Sequence, residues 1–464
     1  MPETALEERK TVKILHTPRR IAASLAVLAL ATTALSACSG AGGGDGAGDA
    51  QSINVLMVNN PQMLDLQKLT ADNFTKETGI KVNYTVMPEN DVRAKISQEF
   101  SSQAGQYDVA SLSNYEIPFY SANKWLAPLD DTVAKNAEFD QKDILPAYTA
   151  SLTGTDGKLY GEPFYGESSL LMYRKDVFQA KGLTVPSNPT WDQVADLAAK
   201  ADGAQPGMKG ICLRGQPGWG QVFAPLTTVV NTFGGTWFDK DWNAQVNAPE
   251  FKAATQFYVD LVRKHGEAGA AQAGFTECLN NMVQGKVAMW YDASSAGGSL
   301  EADSSPVKGK IGYVQAPVKQ TKQAGWLWTW SWGVQAASKK QDAAGKFIAW
   351  ASSKKYEELV AKQLGWAKVP SGKRSSTYEN ADFQKAAPFF KAEKEAILSV
   401  DPKNPGVQPR PTVGIQFVGI PEFADLGTTV SQGVSSAIAG QTSVDDALNK
   451  GQEAATKVGD KYKK

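Results

Sequence analysis

Ile53-Asn54-Val55-Leu56-Met57-Val58 is the stretch from which the fold can be read. A short run this apolar is strand-like, and the pattern after it is helical. Over 63–77 the apolar residues Met63, Leu66, Leu69 and Phe74 lie at helical spacing, and Gly79 marks the stop. A second strand over 81–87 leads through Pro88-Glu89-Asn90 into a helix over 91–103, and Tyr107-Asp108-Val109-Ala110-Ser111-Leu112 reads as a third strand. Strand, helix, strand, helix, strand specifies an α/β fold with a parallel sheet covered by helices. Sheets of this kind bind ligands beyond the carboxyl ends of their strands. Here those ends are Asn59-Asn60-Pro61-Gln62 and Ser113-Asn114-Tyr115-Glu116. Asn60, Gln62, Asn114 and Tyr115 are therefore candidate ligand contacts.

Outward from this core, further strands are expected at 210–213, 286–291, 310–317 and 328–336. Helices are expected over 191–200, 249–264, 341–352, 356–364, 382–398, 422–439 and 444–458. Pro/Gly-rich loops occupy 370–374 and 401–411. With 464 residues, 42% of them hydrophobic, the chain can build two or three domains. Its 48 basic and 48 acidic residues balance, so no chain-wide field draws in nucleic acid.

Before residue 53 the composition changes twice. Lys13, Arg19 and Arg20 precede an uncharged apolar run over 21–35, which ends in Leu35-Ser36-Ala37-Cys38. A basic region, a short apolar stretch and small residues describe a secretory signal over 1–37. The run is too short for the roughly 20 residues of a spanning helix. Leu35-Ser36-Ala37-Cys38 resembles the bacterial lipoprotein box, which implies that Cys38 is lipidated and becomes the new N-terminus. Residues 38–52, rich in glycine, read as a flexible tether. The expectation is an extracytoplasmic protein, lipid-anchored to the cell membrane and touching it only through that lipid. Removing 1–37 takes away five basic and three acidic residues and leaves a net charge of −2.

Only His16 and His265 are histidines, so the mature chain holds one. It cannot assemble a His₂ or His₃ zinc site, and no metal or cofactor is expected. His265 itself falls in Leu261-Val262-Arg263-Lys264-His265-Gly266, the signature of a helix end. Beyond Cys38 only Cys212 and Cys278 remain, in an oxidising compartment. They either pair as a disulfide or stay as two buried thiols.

Several segments taken together resemble the type 1 extracellular solute-binding proteins of ABC sugar importers, across 53–464. They are Phe74-Thr75-Lys76-Glu77-Thr78-Gly79-Ile80-Lys81-Val82, Trp125-Leu126-Ala127-Pro128-Leu129-Asp130, Met172-Tyr173-Arg174-Lys175-Asp176 and Pro189-Thr190-Trp191-Asp192. Three more are similar to the sorbitol/mannitol branch: Cys212 through Gly220, Gly325-Trp326-Leu327-Trp328, and Val418-Gly419-Ile420-Pro421-Glu422-Phe423. The resemblance implies a two-lobed periplasmic-binding-protein-like fold (type II), with lobes joined by crossover strands and closing over a ligand. Mapped onto this chain, the crossovers fall within 160–167, after 289–292 and near 330–332. One lobe is then 53–163 plus 290–330, and the other 164–289 plus 331–464. The implied partners are a small polyol or sugar and the transmembrane subunits of an ABC permease, with the receptor itself a monomer.

A neutral polyol needs paired donors and acceptors for its hydroxyls and flat apolar surfaces for its C–H edges. Hydrogen bonds to charged groups are the stronger ones, about 1.5–3 kcal/mol. Glu167, Arg214 and Asp292, beside strand ends or crossovers, join the candidates, Arg214 alternatively holding the cleft wall through a salt bridge. Trp326, Trp328, Trp330 and Trp332 recur at spacing two, so a strand would place them on one face. Trp326 and Trp328, then Trp219, are the expected stacking surfaces; Phe164 is a weaker candidate, and Tyr165 fits packing. Two other readings use similar residues: a receptor for a di- or oligosaccharide, and a secreted glycoside hydrolase relying on two carboxylates. No carboxylate pair sits in a recognisable catalytic motif, so the expectation is a binding protein and not an enzyme.

Overall fold

The computed structural model describes residues 51–463 apart from 135, 137 and 138. Cys38, the signal segment and most of the tether lie outside the described residues. Nine strands are present among those described: β1 (Ser52–Val58), β2 (Lys81–Met87), β3 (Val109–Ser113), β4 (Glu162–Glu167), β5 (Ser169–Arg174), β6 (Lys209–Cys212), β7 (Val287–Ala293), β8 (Ile311–Gln315) and β9 (Trp328–Val334). They form two sheets, ordered β2-β1-β3-β9-β4 and β6-β7-β5-β8. As expected from the alternating pattern, β1, β2 and β3 run parallel, with Ile53 beside Val82 and Val55 beside Val109. β9 and β4 complete that sheet in antiparallel pairing.

The helix after β1 starts at Pro61, passes through a π-helical turn at Ala71–Thr75 and stops where Gly79 takes φ +73. That left-handed conformation costs glycine no Cβ clash, so the stop is legible in sequence. One expected helix is corrected. The span 382–398 is two helices, Ala381–Ala386 and Phe390–Ser399, with Ala387 between them at φ −116, ψ 76. Pro388 has no N–H to donate and pushes its predecessor out of helical geometry. His265 ends the helix Pro249–His265, with its Nδ1 3.1 Å from Asp202 Oδ2. Among the described residues no helix is long and apolar enough to cross a membrane.

Strand pairing also corrects the expected lobes. β7 does not lead back to the first sheet: it pairs with β5, and β8 then pairs along the other side of β5. The strands over 287–315 therefore share the second sheet with β5 and β6, whereas β9 lies in the first. The physical reason is that β5 is buried and needs both edges satisfied, which β7 and β8 provide together. The chain passes from the first sheet to the second at Ser168 and returns between β8 and β9. Phe347 and Trp350, on the helix Gln341–Ala351, pack on Phe74 at 5.5 and 5.3 Å and seal the first lobe. In the second lobe the helices Pro249–His265, Phe423–Ile438 and Val444–Gly459 pack on one another.

Cys212 and Cys278 are joined as a disulfide, with Cα atoms 5.7 Å apart. The bond fastens the end of β6 to the helix Phe275–Val283. Among the described residues, Cys212, Cys278 and Glu267 form the cluster compact enough for a metal, but both sulfurs are occupied by the disulfide.

Candidate functional site

Between the lobes lies a small cavity of about 30 Å³. It forms where Glu167 ends β4, two residues before the chain enters the second sheet at Ser169. Asn60, beyond the carboxyl end of β1, lines it, as strand-end binding requires. Asn60 is held by its own Nδ2, which donates to the Tyr165 hydroxyl at 2.8 Å.

The second lobe contributes Arg214, two residues past the end of β6. Its Nε donates to Asp292 Oδ2 at 2.8 Å and its NH2 to Oδ1 at 2.5 Å. A third guanidinium donor reaches the Gly220 carbonyl at 3.0 Å. Burial works against the Arg214 charge, but Asp292 outweighs it and holds the group firmly cationic. Asp292 is fully buried and also accepts from Trp290 Nε1 at 3.0 Å and its neighbour's N–H at 2.7 Å. Each of its oxygens thus has two donors, and Asp292 does not reach the cavity wall. The expectation that it contacts ligand is corrected: it orients Arg214 from behind.

A second cation faces the cavity from the first lobe. Arg93, on the helix Glu89–Ser102, bonds Glu89 at 2.9 Å and Glu116 at 2.5 Å. Its guanidinium lies 4.5 Å from the Trp219 ring centroid, 4.7 Å from Trp330 and 5.2 Å from Trp328. Cation and indoles therefore form one continuous surface. Trp326, Trp328 and Trp330 all line the cavity. Trp332 lies farther along β9 and packs against Phe164 at 5.2 Å, inside the first lobe. Spacing two does place Trp328, Trp330 and Trp332 on one face of β9, but a strand advances about 3.3 Å per residue and carries the last indole away from the opening.

Glu167 is buried and accepts from Ser295 Oγ at 2.5 Å. Burial raises its carboxyl to about 8, although Ser295 and Arg214 pull it back down. Two more groups stand ready beside it. Among the described residues, Trp326 Nε1 has no acceptor and Gln416 Oε1 has no donor, although both side chains are buried at the cavity wall. Buried polar atoms in native proteins are nearly always paired. One unused donor and one unused acceptor, flanked by a carboxyl and a guanidinium, match the hydrogen-bonding pattern of adjacent hydroxyls.

Of the residues expected at the site, Asn60, Glu167, Arg214, Trp219, Trp326 and Trp328 meet at this cavity. Besides Asp292, three others do not line it. Gln62 Nε2 donates to the Ser295 carbonyl at 3.0 Å. Asn114 bridges Leu327 O and Thr329 N at 3.3 Å each, fixing the start of β9. The Tyr115 hydroxyl donates to Ile420 O at 3.0 Å and accepts from Ala424 N at 3.0 Å, tying one lobe to the other. Phe164 is core. The lining groups that the sequence reading missed include Glu89, Arg93, Phe275, Ser295 and Gln416. Glu89 was recoverable, since it follows the carboxyl end of β2. Gln416 lies in a loop without periodicity and carried no signal.

Comparison with known proteins follows the same lines. The family model described as bacterial extracellular solute-binding protein matches residues 60–358. A mannitol-binding protein of Pseudomonas aeruginosa is 38% identical over 410 residues, covering 88% of this chain and 93% of that one. A solute-binding protein of Agrobacterium vitis, solved with bound D-mannitol, is 45% identical with a TM-score of 0.86, covering 89% of this chain and 99% of its own. One from Agrobacterium radiobacter, in complex with ribitol, is 26% identical with a TM-score of 0.78, covering 88% of this chain and 99% of that chain. Two sheets joined by short connections, a polar and indole-lined cavity between them, and likeness along nearly the whole described chain lead to one conclusion: this protein belongs to the bacterial extracellular solute-binding proteins.

Proposed function

We propose that the protein captures a linear polyol of the mannitol and sorbitol class and delivers it to the transmembrane subunits of an ABC importer, working as a monomer tethered through a lipid on Cys38. The observation that carries this reading is the unpaired Trp326 donor and Gln416 acceptor in a cavity also lined by Glu167, Arg214 and indoles. The ligand is neutral. Both cations at the wall already have carboxylate partners, Arg214 with Asp292 and Arg93 with Glu89 and Glu116. A phosphate or carboxylate on the ligand would meet no unmatched positive charge. The mannitol- and ribitol-bound relatives support the same class.

A thermal-shift panel of mannitol, sorbitol, arabitol, xylitol, ribitol, glucose, maltose and trehalose tests this. Ligand at about 100 times its dissociation constant adds about 2.7 kcal/mol of stability. A hexitol or pentitol is expected to raise the melting temperature and maltose is not; a shift with maltose and none with any polyol retires the polyol reading. Repeating the titration across pH reads Glu167. A hydroxyl donated to a carboxylate is bound more strongly than one donated to the neutral acid. Since Glu167 stays protonated up to about pH 8, ligand binding below that pH releases a proton. Affinity should therefore rise from about pH 6 towards pH 8, and Glu167→Gln should flatten the profile. A flat wild-type profile excludes a ligand bond to the ionised carboxylate.

Cys38→Ser is expected to release the protein from the membrane fraction without changing polyol affinity. Retention after a high-salt wash would refute the lipid anchor.

A further inference from the structure

We infer that the wall formed by Arg93 and Trp219 sets the length of ligand the cavity accepts, keeping glycosylated polyols out while a hexitol enters. This rests on the polyol reading and extends it to a specificity device. Arg93 and Trp219 line this small cavity and also a larger outer groove of about 920 Å³. The groove carries the half-buried rings of Phe119 and Trp125 interleaved with Asn90, Ser97 and Thr428. Aromatic faces beside hydroxyl and amide groups suit a pyranose ring, which presents an apolar face and a polar rim. Space with sugar-compatible chemistry thus lies directly behind the cavity, and two side chains close it off.

Each half of the wall comes from a different lobe, and each is fixed from behind. Arg93 cannot swing aside without breaking its bonds to Glu89 and Glu116. Trp219 is wedged against Tyr115 at 4.5 Å and Phe423 at 6.1 Å. It also lies so close to Gly427 that a Cβ there would meet Trp219 Cβ at 2.7 Å. Glycine at 427 is what lets the indole seat on the helix Phe423–Ile438, and the guanidinium then stacks on it. A hexitol ends inside this wall; a glucosyl group attached to it would have to pass through.

Calorimetry with sorbitol and with maltitol, a glucoside of sorbitol, tests the wall. Wild type is expected to bind sorbitol and reject maltitol. Trp219→Ala removes the wall without stranding a buried charge. Arg93→Ala combined with Glu116→Gln removes it from the other lobe, should the first variant fold poorly. Either should lower the sorbitol-over-maltitol preference at least about tenfold, within the range one small group commands in a pocket. Trp326→Phe alters an indole that lines the inner cavity and packs on Tyr291, and should weaken sorbitol without admitting maltitol. Wild type binding maltitol as well as sorbitol, or Trp326→Phe admitting maltitol as the wall variants do, overturns the inference. Hexitol binding with an unmoved ratio in both wall variants overturns it while sparing the polyol reading. A wild type silent to every hexitol, with wall variants that take up maltitol, upholds the wall and retires the hexitol assignment.

Discussion

Asp292→Ala is expected to cost about 3–5 kcal/mol of folding stability and to abolish polyol binding, because it strands a buried guanidinium. The carboxylate does not touch the cavity; it holds Arg214 there through bonds of 2.8 and 2.5 Å, and both partners are buried. Removing one member leaves the other charge desolvated and unpaired. Replacing both, as Asp292→Ala with Arg214→Met, should recover much of the stability and none of the binding, since apolar substitution of a whole buried pair is often tolerated. Urea midpoints of the three proteins decide the matter. A single Asp292→Ala variant within about 1 kcal/mol of wild type would mean that water reaches Arg214 and that the pair is not the support argued here.

Removing the disulfide comes next in size. Cys212 and Cys278 stand 66 positions apart, and a loop of that length is worth about 4 kcal/mol in the chain-entropy model. Cys212→Ala with Cys278→Ala should lower the urea midpoint accordingly. Binding should weaken as well. The bond anchors the helix that carries Phe275, whose ring lies 5.3 Å from the Arg214 guanidinium at the cavity wall. Coincident midpoints for wild type and double variant, without reductant, would show that the bridge adds nothing.

How much of this was legible in the sequence varies with the range of the forces involved. The parallel order of β1, β2 and β3 follows from apolar runs alternating with helical periodicity, a local pattern. Gly79 and Pro388 punctuate the chain through their own backbone chemistry, and only the second was overlooked. Asn60 and Glu167 were found because strand ends and crossovers are where side chains escape the sheet. Gln62, Asn114 and Tyr115 satisfied the same rule yet serve as braces, since a strand end places a residue near the opening without choosing its partner. Asp292 is the sharpest case. Its position beside a strand end was read correctly and its role was not, because four donors from Arg214, Trp290 and Ala293 converge on it only after folding.

The lobes show the same division. Composition and motif could say that strands cross between two bodies. They could not say that β7 and β8 both flank β5, since edge pairing depends on which backbone groups would otherwise be left unsatisfied. The sequence by itself determined the α/β class, the family and the indole-rich strand that became β9. Tertiary structure alone decided which indoles line the cavity, that Asp292 is spent on Arg214 while Glu167 lines the wall, and that Arg93 joins them there. Periodicity and motifs are written in near neighbours along the chain. A site's electrostatics and shape come from groups as far apart as Glu167, Arg214 and Gln416, which only burial brings together.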